Sequence, residues 1–284
     1  MNKIALLILT MWIAPAWMAW GQKIYYVEED SAIFNRFVSE MMPRKNLPAE
    51  RLIIETATFF LGTPYVASTL EKEPEGLVVN LREMDCSTFV DNVIALARML
   101  KSDDISFDGF CRQLQHLRYR EGKITGYADR LHYTSDWIYE NNRKGIVRDI
   151  NKEIGGVLQD LHLDFMSTHP ASYKQLKSDA GLVKKIAAIE KDISSRPYYY
   201  IPEQKIDDYA PHIMDGDVVC ITTAIKGLDT SHVGIISRVG ETLTFIHAST
   251  TAQKVIVNPE SLKNYLEKGK SSTGIMLARP VLFE

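Results

Sequence analysis

The sequence has few cysteines and contains no run of basic residues, no internal repeat, no low-complexity tract and no Gly/Ser linker. Without a basic run or stripe there is no electrostatic footprint for a nucleic-acid partner. Without repeats or linkers, the simplest partition is one domain carrying an insertion. The apolar stretch from Ile4 to about Ala14 is shorter than the roughly 20 residues a bilayer crossing takes, and Pro15 interrupts it. With Lys3 before it and small residues after, it has the layout of a secretory signal peptide at residues 1–21, cleaved after Gly21 with Ala19 two positions earlier. No cysteine lies near that point, which closes the lipid-attachment route. The expectation is an exported protein, in the periplasm, with no stable membrane insertion once the signal is removed.

Removal of residues 1–21 takes away one basic residue, Lys3, so 33 Lys and Arg become 32 against 36 Asp and Glu. The composition, 24% charged and 45% hydrophobic, is ordinary for a globular chain. Three cysteines are an odd number for an oxidising compartment, so at least one is free or paired between chains. Cys220 lies in the apolar run VVCITT and Cys111 in the helical stretch FCRQLQHL, and both read as core. Cys86 stands apart because Asp85, a suitable helix cap, precedes it, and apolar residues at Phe89, Val90, Val93, Ile94, Ala97 and Leu100 follow at helical spacing.

Helices are expected near 31–42, 48–61 and 86–100. A mixed, mainly helical block at about 101–200 is expected to hold helices near 106–119, 135–144 and 172–189 and little strand. Beyond Pro202 short β-type runs appear at 217–223, 232–239, 242–247, 254–257 and 275–279. Helices first and an antiparallel sheet afterwards give an α+β class, with residues 22–284 as one domain and the block at about 101–200 as its insertion.

A cysteine at a helix start receives backbone N–H groups and the positive end of the helix dipole, both of which favour a thiolate. The segment SHVGIISRV turns near Gly240 and returns as TLTFIHAST. A Val239-Gly240 loop, or a four-residue loop at 238–241, sets His232 directly opposite His247. A Gly240-Glu241 loop shifts the register by two and still leaves both rings on one face, because side chains alternate with period two. Thiol, base and an orienting polar group are the parts of a cysteine hydrolase, with Cys86, His232 and His247 in those roles. The same three side chains could ligate zinc, but no second cysteine lies near Cys86 and there is no His-Glu helix signature, so neither metal nor other cofactor is expected. His116, His162, His169 and His212 lack such a setting and read as surface or supporting residues.

Five segments, LGTPYV at 61–66, DCSTFV at 85–90, GDVV at 216–219, SHVGI at 231–235 and FIHAS at 245–249, resemble in order the NlpC-type papain-like peptidoglycan hydrolases. The resemblance implies a papain-like fold, with the nucleophile at a helix N-terminus packed on the C-terminal sheet, and a Cys-His-His triad at Cys86, His232 and His247. It also implies that Tyr65 helps bind the oxyanion and that Asp85, Ser87 and Ser231 contact substrate. Asp85 has an equally good role as the helix cap. Two departures stand out: Ser-Thr rather than Ser-Gly follows the cysteine, and 146 positions separate Cys86 from His232. That long spacing, with YADRLHYTSDWI at 127–138, resembles the N-acetylmuramoyl-L-alanine amidase-like branch. Its members are expected to cut between muramic acid and L-alanine in peptidoglycan fragments, the anhydro form preferred. The alternatives are a D-glutamyl endopeptidase of the same superfamily and a catalytically silent envelope-binding protein. Arg118, Arg120, Arg130, His132 and Trp137 of the insertion are the side chains expected to pair with carboxylates or stack on a sugar.

Overall fold

The structure, a computed structural model, describes residues 23–283, so the signal-peptide expectation lies outside the described residues. In chain order the elements begin with strand β1 (Ile24–Tyr25), helices α1 (Glu28–Met41) and α2 (Ala49–Phe59), and strand β2 (Leu77–Val78). Helices α3 (Cys86–Lys101), α4 (Phe107–Arg118) and α5 (Thr134–Arg143) come next. Strands β3 (Val147–Asp149) and β4 (Val157–Gln159), the single turn α6 (Phe165–Thr168), α7 (Ala180–Ser194), β5 (Tyr198–Pro202) and the short α8 (Ile206–Tyr209) follow. The C-terminal part holds β6 (Val218–Thr223), β7 (Thr230–Val239), β8 (Thr242–Ser249), β9 (Lys254–Val257), α9 (Leu262–Lys268) and β10 (Ser272–Pro280).

The main sheet runs in the order β4-β5-β10-β6-β7-β8-β9, β3 also pairs with β10, and each of these pairings is antiparallel. Helices first and an antiparallel sheet afterwards is the α+β order expected. The block at about 101–200 departs from expectation because it is not strand-poor: β3, β4 and β5 extend the sheet. The signal for β5 was the run YYYIP, whose aromatic residues suit a pleated surface. Helix α7 begins eight residues later than expected because Asp179, not a residue near 172, supplies the cap, accepting from the Leu182 N–H at 2.9 Å.

Alternation along the strands divides the core. Val218, Cys220, Val233, Ile235 and Ile246 pack with the helical layer, whereas Val219, Ile221, Ile236 and Phe245 pack with Leu262 and Leu266 of α9 on the other side. Strand β6 is therefore buried on both faces. Helix α3 lies against β7, β8, α2 and α4 and is buried nearly all round, Asn92 and Arg98 included. Cys111 and Cys220 are buried free thiols. Among the described residues no helix is long and apolar enough to cross a membrane.

Candidate active site

Cys86 is the first residue of α3, and the reason the helix starts there is local. The Asp85 carboxylate accepts from the Thr88 N–H at 2.8 Å, while the Asp85 N–H donates to Thr88 Oγ1 at 2.9 Å. This reciprocal cap gives a physical role to the threonine that departs from Ser-Gly. It also fixes the helix start so that the Cys86 N–H lies in the first turn, where no intrahelical carbonyl is available to it. Cys86 is half-buried, and the Val233 N–H and the hydroxyl and N–H of Ser87 favour its charged form. Burial, followed by the Asp85 charge, nevertheless pushes the thiol up to about 11. Cys86 therefore rests as a neutral thiol, which is not the thiolate expected from the helix start alone. Desolvation outweighs the helix dipole here.

The loop ahead of α3 brings a tyrosine alongside. Pro64 O accepts from the Met84 N–H at 3.0 Å and Met84 O from the Val66 N–H at 3.2 Å, while the Tyr65 N–H donates to Gln253 O at 3.0 Å. Tyr65 is thereby held next to Cys86, whose charge contributes after burial to raising the phenol above its ordinary range.

The β7–β8 hairpin places the imidazoles. Val239 pairs with Thr242, so the loop is Gly240-Glu241 and the register differs by two from the directly opposed pairing expected. The reason is Gly240, whose φ of +61° suits the first position of a two-residue hairpin turn and would strain Val239. Extended along the ladder, this register sets His247 opposite Gly234. A Cβ on Gly234 would lie 2.7 Å from the Phe245 ring, 2.9 Å from Ile246 O and 3.2 Å from His247 Cβ. The bare glycine leaves the space in which the two rings meet diagonally, with His232 Nε2 2.6 Å from His247 Nδ1 and the ring planes at 87°. Phe245 and Tyr265 enclose the pair, the Tyr265 ring centroid lying 6.2 Å from that of His232 and 5.8 Å from that of His247. Tyr265, in the SLKNYLEK helix, gave no signal in the sequence. Gly234 and Phe245 stood inside the segments SHVGI and FIHAS without a role.

Burial lowers His232 to about 4, and burial followed by the neighbouring His232 lowers His247 to about 3, so both rings are neutral near pH 7. Of the two nitrogens of His232, Nε2 is taken by His247, which leaves Nδ1 uncommitted. If Nδ1 carries the free lone pair, Nε2–H donates to His247 Nδ1, and the His247 proton sits on Nε2, which is buried without a partner. The two nitrogens bond each other instead of sharing a direction toward an ion, an arrangement that does not suit zinc.

Cys86, Tyr65, Ser231, His232 and His247 line one cleft, and a second cavity is bounded by Cys86, Ser87, Ser231, His232, His132 and Tyr133. Ser87 and Ser231 are exposed there. The other insertion residues are placed differently from expectation. The Arg118 guanidinium is buried, 2.8 Å from Asp91 Oδ2 and 2.7 Å from Val78 O, and Trp137 Nε1 donates to Asp91 Oδ1 at 3.1 Å. Arg130 is buried against Glu71 at 2.7 Å and Glu75 at 2.8 Å. Arg120 pairs with Asp136 and Glu140. Arg118, Trp137 and Arg130 face inward and hold the insertion to α3 and to the loop at 70–76, whereas Arg120 binds carboxylates within the insertion itself. Arg118, Arg130 and Trp137 line a small, partly open cavity with Ser87 and His132, their polar groups already paired. His132 donates Nε2–H to Tyr127 O at 2.8 Å, which leaves its Nδ1 as an acceptor, and it borders both that cavity and the one beside Cys86.

A stability prediction follows from Arg118. Replacing it with alanine leaves the Asp91 carboxylate buried without its cation and is expected to lower unfolding free energy by about 3–5 kcal/mol. Denaturant unfolding measures this. Unchanged stability with a raised KM would instead return Arg118 to the role of a ligand contact.

Residues 55–275 match the AmiA-like family, described as N-acetylmuramoyl-L-alanine amidase-like. Among solved structures, an N-acetylmuramoyl-L-alanine amidase from Bacteroides uniformis ATCC 8492 is 38% identical with a TM-score of 0.79, over 82% of this chain and 98% of its own. A Bacteroides fragilis protein with the provisional name of xylanase is 40% identical with a TM-score of 0.76, over 79% of this chain and 99% of its own. A protein from Legionella pneumophila str. Philadelphia 1, 22% identical with a TM-score of 0.63 over 89% of this chain and 99% of its own, shares the fold. No curated protein matches the chain.

Proposed function

The chain belongs to the AmiA-like, N-acetylmuramoyl-L-alanine amidase-like family, and from that membership we propose that it is an exported cysteine amidase of papain-like, NlpC-type architecture. Its substrate is the amide between N-acetylmuramic acid, in the anhydro form, and L-alanine in peptidoglycan fragments. Residues 1–21 are its export signal, and the periplasm is where it acts. The observation that carries the reading is the meeting of α3 and β7: Cys86, the first residue of α3, lines one cleft with His232 and His247, whose ring nitrogens lie 2.6 Å apart.

The chemistry starts from a neutral thiol and a neutral imidazole. His232 Nδ1 takes the Cys86 proton as sulfur attacks the lactyl carbonyl carbon, and the Cys86 N–H and the Tyr65 hydroxyl stabilise the oxyanion. The imidazolium formed donates its proton to the alanine nitrogen as the C–N bond breaks, which leaves a thioester. Water then attacks that carbonyl, His232 removes its proton, and the proton returns to the sulfur as the C–S bond breaks. His247 accepts from His232 Nε2–H throughout and keeps the ring oriented.

The test is mass spectrometry of products from defined muropeptides. Free muramic-acid sugar plus a peptide with alanine at its amino terminus is the expected result. Release of the diamino acid with the L-alanyl-D-glutamate part left intact would replace the amidase reading with the endopeptidase. The xylanase name of the Bacteroides fragilis relative is not favoured for this chain. Glycoside hydrolysis takes two carboxylates flanking one bond. The two cavities beside Cys86 contain one each, Glu260, ion-paired with Lys268, and Asp229, engaged by Ser135 and Thr230.

The neutral resting pair sets the pH dependence. His232 must be unprotonated to accept the thiol proton, so kcat/KM is expected to rise through about pH 4 and stay level to neutrality. A limb near 6.5, the ordinary imidazole value, would show the ring solvated in the working enzyme. Stability follows the same groups. His132, His232 and His247 are all lowered in the folded chain, to about 3, 4 and 3, so between pH 6.5 and about 3 the unfolded chain binds protons that the folded chain does not. Their contribution to stability is complete above pH 6.5 and declines as pH falls through that window. Thermal unfolding midpoints at pH 7 and pH 5 measure it, the lower midpoint being expected at pH 5.

A further inference from the structure

The register between β6 and β7 breaks immediately before the proposed base. Ile221 pairs with His232 and the next pair is Thr222 with Thr230, so Ser231 is an extra residue with no opposite number. A bulge of this kind bends its strand and re-aims the neighbouring side chain. Its position needs fixing, because the ladder itself has lost a bond there.

The two residues ahead of the bulge are fastened to the insertion. Asp229 Oδ2 accepts from the Ser135 N–H at 2.7 Å and from the Ser135 hydroxyl at 2.8 Å, and Oδ1 accepts from the Thr230 N–H at 2.7 Å. The Thr230 hydroxyl donates to Thr134 Oγ1 at 2.7 Å. Asp229 O also accepts from the Thr223 N–H of β6 at 3.2 Å, which ties the far side of the bulge. Asp229 is 3% exposed and Ser135 0%. Helix α5 has no cap of its own, since Tyr133 at its N-cap makes no capping bond and its hydroxyl instead donates to Glu190 Oε1 at 2.6 Å. Asp229 supplies that cap from 94 residues downstream.

We infer that the first turn of α5 and Asp229 form a clasp that sets the aim of His232, so that the insertion, besides walling the substrate cavity, holds the catalytic geometry. Asp229 is a positioning residue acting through His232. The inference rests on Cys86 and His232 being nucleophile and base. His232, which bonds His247 and shares its cleft with Cys86, follows the bulge directly. A displacement of about 1 Å at the base is enough to cost on the order of a hundredfold in rate.

The experiment compares Asp229→Ala, Asp229→Asn, Thr134→Val, Thr230→Val and the Thr134→Val/Thr230→Val pair. The readouts are kcat and KM on the muropeptide, thermal midpoint, and the rate of Cys86 alkylation by iodoacetamide, with His232→Ala as reference. Asp229→Ala is expected to lower kcat roughly 10- to 100-fold with KM within about threefold. Asp229→Asn, which keeps one acceptor oxygen, recovers most of the loss. Each valine variant lowers kcat several-fold, and the pair falls no further than either single, since both remove one bond. Alkylation in each variant slows toward the His232→Ala rate. A lowered midpoint with wild-type kcat and alkylation would make Asp229 a helix cap only and overturn the inference, as would a raised KM at unchanged kcat. Should Asp229→Ala fail to fold, the near-isosteric valine variants decide by the same readouts. If the wild type cleaves no muropeptide, the amidase reading fails while alkylation still judges the clasp. If alkylation is indifferent to His232 in the wild type, there is no aim to set and the clasp falls.

Discussion

Cys86→Ala is expected to fold as the parent does and to lose muropeptide turnover by about a thousandfold or more. The substitution removes one sulfur from a half-buried position at the first residue of α3, and alanine is a good helix former there. The cap that starts the helix belongs to Asp85 and Thr88 and stays intact. What disappears is the thioester route, for which the remaining groups offer no substitute. Circular dichroism and the thermal midpoint establish the fold, and a discontinuous muropeptide assay measures the loss. Activity within tenfold of wild type would remove Cys86 from the mechanism. An independent check is differential alkylation. Burial pushes both Cys86 and Cys111 far above neutrality, to about 11 and about 12, so neither is a free thiolate near pH 7. Cys86 is the least buried of the three and shares its cleft with His232 and His247, and it is expected to react with iodoacetamide much faster than the two buried thiols.

His232→Ala is expected to reduce turnover by about a hundred- to ten-thousandfold, the range attached to a positioned general base. A thiol held near 11 depends more on that base than an ion-paired thiolate would. His247→Ala is expected to cost less, since water entering the vacated space can accept from His232 Nε2–H, and His247→Gln, whose amide oxygen can also accept, is expected to recover part of the loss. The order of the two effects is the measurement. A larger loss at His247 than at His232 would exchange the roles of the rings, with the fold of each variant checked by its thermal midpoint.

The sequence by itself determined what depends on near neighbours. Asp85 ahead of a helical apolar face marked the start of α3, and Thr88 three positions on completed the cap. The β-type runs after Pro202 became the strands of an antiparallel sheet, because alternation and turn residues act over a few positions. The two histidines were placed on one face before their register was known, because any even loop preserves parity. What only the tertiary structure decided depends on groups far apart in the chain. Arg118 and Arg130 read as free cations for a ligand, yet carboxylates 27 and 55 positions away neutralise them inside the protein. The thiolate expected at a helix start is a neutral thiol, because burial is a property of everything packed around Cys86. The register of the hairpin was settled by Gly240 taking a positive φ, and the diagonal meeting of the rings by the missing side chain of Gly234. Local pattern sets which face a side chain takes, whereas its charge state and its partners follow from desolvation and long-range contacts that exist only once the chain has closed on itself.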